Sequence, residues 1–156
     1  MNHRRNRMRR IDFMVGQTDF NTLTAAQFMQ QDVVYFTKSV KAQSIAAAIT
    51  TGNFGSVPIV DSDLKPVGIV SEYDLLKAMR QGKQLNEISA GDIMTKPAIT
   101  VPVEASSAEI MKVMEDKHLI RVAVVDEDGK LVGMLARRDL MKGYLQSQVP
   151  DKVWWM

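Results

Sequence analysis

Ser56-Val57-Pro58-Ile59-Val60-Asp61, followed by Val67-Gly68-Ile69-Val70-Ser71-Glu72-Tyr73-Asp74, decides the fold because the chain writes it twice. The second writing is Arg121-Val122-Ala123-Val124-Val125-Asp126, followed by Val132-Gly133-Met134-Leu135-Ala136-Arg137-Arg138-Asp139. One shift of 65 residues relates them (61 to 126, 68 to 133, 74 to 139), and Met29 to Met94 and Ile45 to Ile110 obey it too. Two in-register copies of one unit follow, and self-similarity of this kind is settled before the fold is.

Each copy has the same physical reading. A short apolar run, Val33 to Phe36 or Ala98 to Val101, precedes a stretch of helical period. In the first copy that stretch is Ala42 to Thr51, with Ile45, Ala46, Ala48 and Ile49 on one face. In the second it is Ser106 to Lys117, expected to bury Ile110, Val113 and Met114, with Met111 at the margin. Two β-rich runs then flank an acidic turn, Asp61 to Lys65 or Asp126 to Lys130, built from residues that hydrogen-bond their own backbone. The runs are short, β-branched and apolar on both faces, as strands covered on both sides are. At Gly68 and Gly133 a missing side chain admits a close neighbour. Ser71 stands where a helix N-cap would, ahead of a helix from Glu72 to Gln81, and the closing helix of copy two is expected from about Arg138 to Gln146. Asn21 or Thr22 is expected to cap a short helix through Met29, and Ser89 one over Ala90 to Met94 that stops before Pro97.

The division of the chain is therefore a basic tail over 1–20, a first repeat over 21–81, a polar linker over 82–88, a second repeat over 89–146 and a tail over 147–156. At 156 residues the chain is one domain's worth, and neither repeat has enough surface to bury alone, so the two should share a core. With no cysteine there is neither a disulfide framework nor a thiolate site, and two histidines, His3 and His118, build no catalytic cluster. His118 reads as a partly buried packing residue. No run reaches a membrane span and no apolar signal core follows the charged N-terminus, so the expected location is the cytoplasm, with no membrane partner.

A net charge of +2 does not by itself imply nucleic acid. Five arginines crowd the first ten residues (Arg4, Arg5, Arg7, Arg9, Arg10), leaving the rest net acidic, and no aromatic ring is interleaved with them to stack on bases. Thr51 to Ser56 is glycine-rich but lacks the lysine and spacing of a phosphate loop and leads into a strand. Asp126, Glu127 and Asp128 are consecutive and read as a hairpin tip instead of a metal site. Trp154 and Trp155 need a surface to dock on, either this domain or a second subunit.

The repeat resembles the cystathionine-β-synthase (CBS) domain family over about residues 22 to 145, through Met29 and Met94, Val57-Pro58-Ile59-Val60-Asp61, Gly68 and Gly133, and Ser71-Glu72-Tyr73-Asp74. The resemblance implies an α/β (α+β) fold of tandem β-α-β-β-α repeats packed through their sheets about a pseudo-two-fold axis. Modules of this family (Bateman modules) commonly form homodimers and bind adenosine compounds in the clefts between repeats. It places Ser71 and Asp74 at the phosphate and ribose of a ligand, Pro97 and Ala98 on one side of an adenine, Leu119 and Ile120 on the other, and Arg121 at phosphate. The motif's own chemistry agrees: an aspartate one turn into a helix can accept from a ribose diol, while the capping hydroxyl and helix N-terminus favour an anion. The plainer alternatives are a surface strand residue for Arg121 and a helix-cap carboxylate for Asp74.

A second, weaker cleft would use Asp139, Arg137, Arg138, Val33, Gly55 and Ser56. It departs from the family pattern, since Ala136 replaces the hydroxyl, Ser56 stands in the slot equivalent to Arg121, and Ala123 replaces a proline. With no oriented nucleophile or paired catalytic acids, the expected function is non-enzymatic: a regulatory module with no catalytic cofactor. It would sense AMP, ADP or ATP, ahead of S-adenosylmethionine because Arg121 favours phosphate, and signal to an unidentified protein target. The rival readings are a ligand-free dimerisation scaffold and a nucleic-acid-binding protein using its arginine tail.

Overall fold

The computed structural model describes residues 19–148; the arginine-rich stretch and Trp154 and Trp155 lie outside the described residues. Along the chain, a single 3-10 turn (Phe20–Thr22) leads to α1 (Ala25–Phe28), β1 (Phe36–Thr37), α2 (Ala42–Gly52), β2 (Ser56–Val60), β3 (Pro66–Ser71) and α3 (Glu72–Arg80). The second half gives α4 (Ala90–Ile93), β4 (Thr100–Pro102), α5 (Ser107–Asp116), β5 (Arg121–Val125), β6 (Leu131–Ala136) and α6 (Arg137–Gln148). The strands form two three-stranded sheets, β1-β2-β3 and β4-β5-β6, so the fold is mixed α/β, with each repeat supplying one sheet.

In the first sheet β1 runs parallel to β2, and β2 pairs antiparallel with β3, with Ser56 opposite Ser71 and Ile59 opposite Gly68. All five residues of β2 are buried, as the continuous apolar run requires. The two acidic turns are near copies. Asp61 Oδ1 accepts from the N–H groups of Asp63 (2.8 Å) and Lys65 (3.0 Å), and Asp126 Oδ1 from those of Asp128 (3.0 Å) and Lys130 (2.9 Å). The Lys65 N–H is the main reason the Asp61 carboxyl sits below its ordinary value.

Contacts divide the chain into two compact units, one of Val34–Thr100 with Val125–Leu131, the other of residues 19–33, 101–124 and 132–148. In the first, Ile45 and Ile49 of α2, Val57 and Ile59 of β2, Val70 of β3 and Leu75 of α3 form the core. In the second, Phe28, Ile110, Met114, Val122, Val124 and Leu135 are buried, and Phe20 stacks edge-on against Phe28 and Tyr144 at centroid distances of 5.6 and 5.5 Å.

The compact units and the sequence repeats divide the chain differently, and the short helices make the difference. Helix α1 belongs to the first repeat in sequence, yet its Ala25 and Ala26 N–H groups donate to Ala105 and Val103 (2.9 and 3.1 Å), and Met29 packs on Gly133. Helix α4 does the reverse: Ala90 and Gly91 donate to Val40 and Lys38 (2.8 and 2.9 Å), and Met94 packs on Gly68. A Cβ at Gly68 would lie 2.6 Å from the Met94 sulfur and 3.0 Å from the Thr95 carbonyl oxygen; one at Gly133 would lie 2.6 Å from the Met29 sulfur. The close neighbour expected at each glycine is thus the methionine of the other repeat's leading helix.

Several boundaries differ from expectation. Strand β1 is two residues, not the run from Val33 to Phe36, because only Phe36 and Thr37 find partners on β2 and Val34 and Tyr35 are exposed. Helix α1 is capped by Thr24, through a capping box with Gln27, and not by Asn21 or Thr22, which belong to the preceding 3-10 turn. Met111 faces solvent. His118 is exposed in a left-handed conformation (φ 52°) just past α5, and so is not a packing residue.

Candidate functional site

Helix α3 starts with reciprocal capping that turns a local sequence signal into a fixed carboxylate. Ser71, still extended (φ −109°, ψ 167°), accepts from the Asp74 N–H at its Oγ (3.2 Å) and donates its hydroxyl hydrogen to Asp74 Oδ2 (2.9 Å). The Ser71 N–H also donates to Oδ2 (2.8 Å), and Thr95 Oγ1, from beyond α4, donates to Oδ1 (3.1 Å). A carboxylate offers about four acceptor positions, so three donors leave one open on Oδ1. Asp74 is therefore the helix-cap carboxylate of the plainer reading and an acceptor with capacity to spare. A diol could engage it fully only by displacing Thr95. Likewise the single hydrogen of Ser71 is committed to Asp74, so a phosphate would have to win it.

Beside this carboxylate lies a polar cavity of about 370 Å³, lined by Asp74, Lys77, Gln81, Lys83, Asp92 and Thr95 among others. Its far wall is the start of α4, where Asp92 Oδ2 accepts from the N–H (2.9 Å) and hydroxyl (3.0 Å) of Ser89. Those two donors hold the Asp92 carboxyl below its ordinary value, with Lys83 and Lys41 adding to the effect. Thr95, Lys77 and Lys83 were not among the residues expected at the site. Thr95 follows Met94 directly, but nothing in the sequence links it to Asp74, 21 residues earlier. Pro97 is exposed and Ala98 half-buried in the connection from α4 to β4, in the same unit as Ser71 and Asp74.

Leu119, Ile120, Arg121, Arg137, Arg138, Asp139 and Val33 fall in the second unit. Leu119 and Ile120 lead into β5, which Arg121 opens. The Arg137 Nε donates to the Leu119 carbonyl (2.6 Å) and its N–H to that of Ile120 (3.0 Å), so this stretch is tied to the start of α6. Arg121 is half-buried, and burial pushes its guanidinium below the ordinary value while leaving it a cation. Asp139 is fully buried and accepts from the Ala136 N–H at Oδ2 (2.8 Å), whereas Arg138 is exposed. Of the remaining second-cleft residues, Val33 is half-buried in this unit, while Gly55 and Ser56 sit in the other. There the Gly55 carbonyl accepts from Glu72 (3.0 Å) and Ser56 pairs with Ser71. The structure thus brings Ser56, Ser71, Asp74 and Thr95 together, and separately Leu119, Ile120 and Arg137. Among the described residues no group of three or more His, Asp or Glu side chains could hold a metal ion, and no helix is long and apolar enough to cross a membrane.

A duplicated half that pairs a three-stranded sheet with a carboxylate-capped helix defines a class of paired α/β modules. The chain belongs to the CBS domain family, whose model matches it twice, over residues 25–81 and 90–146. It is 34% identical over 135 residues to an uncharacterized protein of Methanopyrus kandleri, covering 85% of this chain and 69% of that one. Two further curated relatives are much longer, and the chain spans 21% and 29% of their length. Among solved structures, CBSX2 in complex with AMP, a CBS-pair protein known from Arabidopsis thaliana, superposes at TM-score 0.72 with 25% identity, covering 81% of this chain and 98% of that one. The CBS domain pair of protein MJ0100, in complex with 5'-methylthioadenosine and S-adenosyl-L-methionine, superposes at TM-score 0.71 over 78% of this chain and 99% of that one; its 23% identity speaks to the fold.

Proposed function

We propose that the chain is a non-enzymatic regulatory module that binds an adenine nucleotide, AMP, ADP or ATP, and passes the signal on by changing its conformation or its pairing with a second copy. The observation that carries this reading is the Asp74 carboxylate, pinned by Ser71 and Thr95 at a helix start beside a polar cavity, with one acceptor position left. That is chemistry suited to a ribose hydroxyl. Lys77 and Lys83 add positive charge to the same cavity, and Arg121 is the cation that the family pattern assigns to phosphate. The AMP bound by CBSX2, at 25% identity, supports the ligand class. Pairing with a second copy is supported by α3, which exposes Tyr73, Leu76 and Met79, each more than half accessible, three residues apart on one face. A ligand shifts such an equilibrium only by its differential affinity for the two states.

Calorimetric titration of AMP, ADP, ATP and S-adenosylmethionine tests the reading. A nucleotide is expected to bind, with affinity falling at least about tenfold in Asp74→Ala and in Arg121→Ala, the loss expected when a charge-assisted hydrogen bond is removed. Thr95→Val is expected to leave binding intact or tighten it, because it opens a second acceptor position on Asp74. No heat and no thermal shift with any adenosine compound would instead select a ligand-free scaffold. Salt-sensitive RNA or DNA binding lost on deleting residues 1 to 10 would select the nucleic-acid reading.

A further inference from the structure

The Asp74 carboxylate is held by more donors than the start of its helix needs. The capping box at α4 is built from the N–H and hydroxyl of Ser89 on one oxygen of Asp92, and Ser71 gives Asp74 Oδ2 the same pair of donors. The third donor on Asp74, the Thr95 hydroxyl, comes from 21 residues further along and goes to the other oxygen, Oδ1, at 3.1 Å. Capping does not call for it. Nor does the backbone around it: the Thr95 N–H donates to the Ile69 carbonyl (2.8 Å) and the Thr95 carbonyl accepts from the Ile69 N–H (2.9 Å), and in the second repeat Gln30 makes the same bridge to Met134 without a hydroxyl. That bridge fixes the Thr95 backbone beside β3, and a β-branched side chain has few rotamers in which to turn away.

We propose that Thr95 sets the sugar specificity of the nucleotide site. With its hydroxyl on Oδ1, Asp74 reads one hydroxyl of a ribose and not the pair, so the site takes adenine nucleotides that carry a hydroxyl at either the 2′ or the 3′ carbon, deoxynucleotides included. This rests on the nucleotide reading above and goes past it in naming the sugars accepted. The count of acceptor positions carries it. Ser71 fills both positions of Oδ2, Thr95 fills one of Oδ1, and one is left. A second sugar hydroxyl reaches the carboxylate only at the position Thr95 holds. That exchange puts one hydroxyl in place of another on the same oxygen, which is close to neutral, so a ligand without the second hydroxyl loses little. Either sugar hydroxyl alone can take the open position, and a sugar with neither leaves it to water from the polar cavity.

Calorimetry of the full-length protein with AMP and ATP, each beside its 2′-deoxy, 3′-deoxy and 2′,3′-dideoxy forms, tests the proposal. In the unmutated chain both monodeoxy forms are expected to bind within about threefold of the parent nucleotide, and the dideoxy form about tenfold more weakly, the loss of one charge-assisted hydrogen bond. Thr95→Val, a change of similar volume at an exposed position, opens the second acceptor position, so each monodeoxy form is expected to fall about tenfold behind the parent. Thr95→Ser keeps the hydroxyl and is expected to keep the unmutated pattern. A tenfold loss for either monodeoxy form in the unmutated chain, or a ribose-to-deoxyribose ratio that Thr95→Val leaves unchanged, would overturn the role of Thr95 and leave the nucleotide reading standing. Dideoxy forms that bind as tightly as their parents, or no binding of any adenosine compound, would overturn both.

Discussion

The starts of α3 and α6 are the same place in the two repeats, and they have been put to different uses. At α3 the acceptor is half-buried, held by Ser71 and Thr95, and opens on a polar cavity. At α6 the matching acceptor, Asp139, is fully buried; Ala136 has no hydroxyl to offer, and its N–H alone of the two supplies a donor. The position matching Thr95 is Gln30, whose backbone pairs with Met134. One turn further on, the positions matching Ala78 and Ile93 are Gly143 and Phe28, and the Phe28 ring occupies the space where a side chain on Gly143 would be. Half-buried Ile93 instead leaves the cavity beside α3 unfilled. A duplicated scaffold thus keeps its antiparallel strands, its acidic turns and the pair Gly68 and Gly133 in common, and a few substitutions around one helix decide which copy presents a polar cavity and which is packed more closely.

This contrast can be broken by mutation. The largest effect is expected from Phe28→Ala, which empties a fully buried ring site and should cost about 3–5 kcal/mol. Ile93→Ala, at the half-buried equivalent, should cost far less, a difference read directly from urea unfolding midpoints. Next, the two aspartates should separate stability from binding. Asp139→Ala removes the acceptor of the half-buried Ala136 N–H and is expected to cost about 1–3 kcal/mol with little effect on nucleotide affinity. Asp74→Ala is expected to cost about 1 kcal/mol, the usual loss of a capping residue, while lowering nucleotide affinity at least about tenfold. Equal losses of stability at both positions would mean that the two helix starts are not used differently after all.

The smallest effect is a pH dependence. The Asp61 carboxyl is depressed in the folded chain, chiefly by the Lys65 N–H. The stabilisation it contributes is therefore complete above its ordinary value of 3.8 and is lost as the pH falls through the depressed folded value. Asp61→Asn, which removes the charge at every pH, should narrow the gap between thermal melting at neutral pH and near pH 3 by lowering the neutral value slightly.

Much of the fold was legible because its signals are local. Ser71, Ser89 and Ser106 each cap the helix that follows and pair with an acidic residue three positions on, a pattern readable from sequence spacing. The turns of Asp61 and Asp126 are equally local. What escaped was set by partners distant in sequence. The run from Val33 to Phe36 has a strand's composition, but the length of β1 depends on how many residues β2 offers it. Methionine content could not reveal that Met111 is exposed while Met114 is buried. At the candidate site the motif fixed Ser71 and Asp74, yet the donor that limits what Asp74 can accept is Thr95, contributed by the neighbouring repeat's leader.

That crossing of leaders has a consequence for how the chain comes to be made. Met29 covers Gly133, so helix α1 waits for a sheet synthesised about a hundred residues later, a contact of the long-range kind that slows folding. Until then its apolar face has no resting place, and severing the chain at the linker would orphan a helix on each side. The two copies, though descended from one pattern, mature only as a couple.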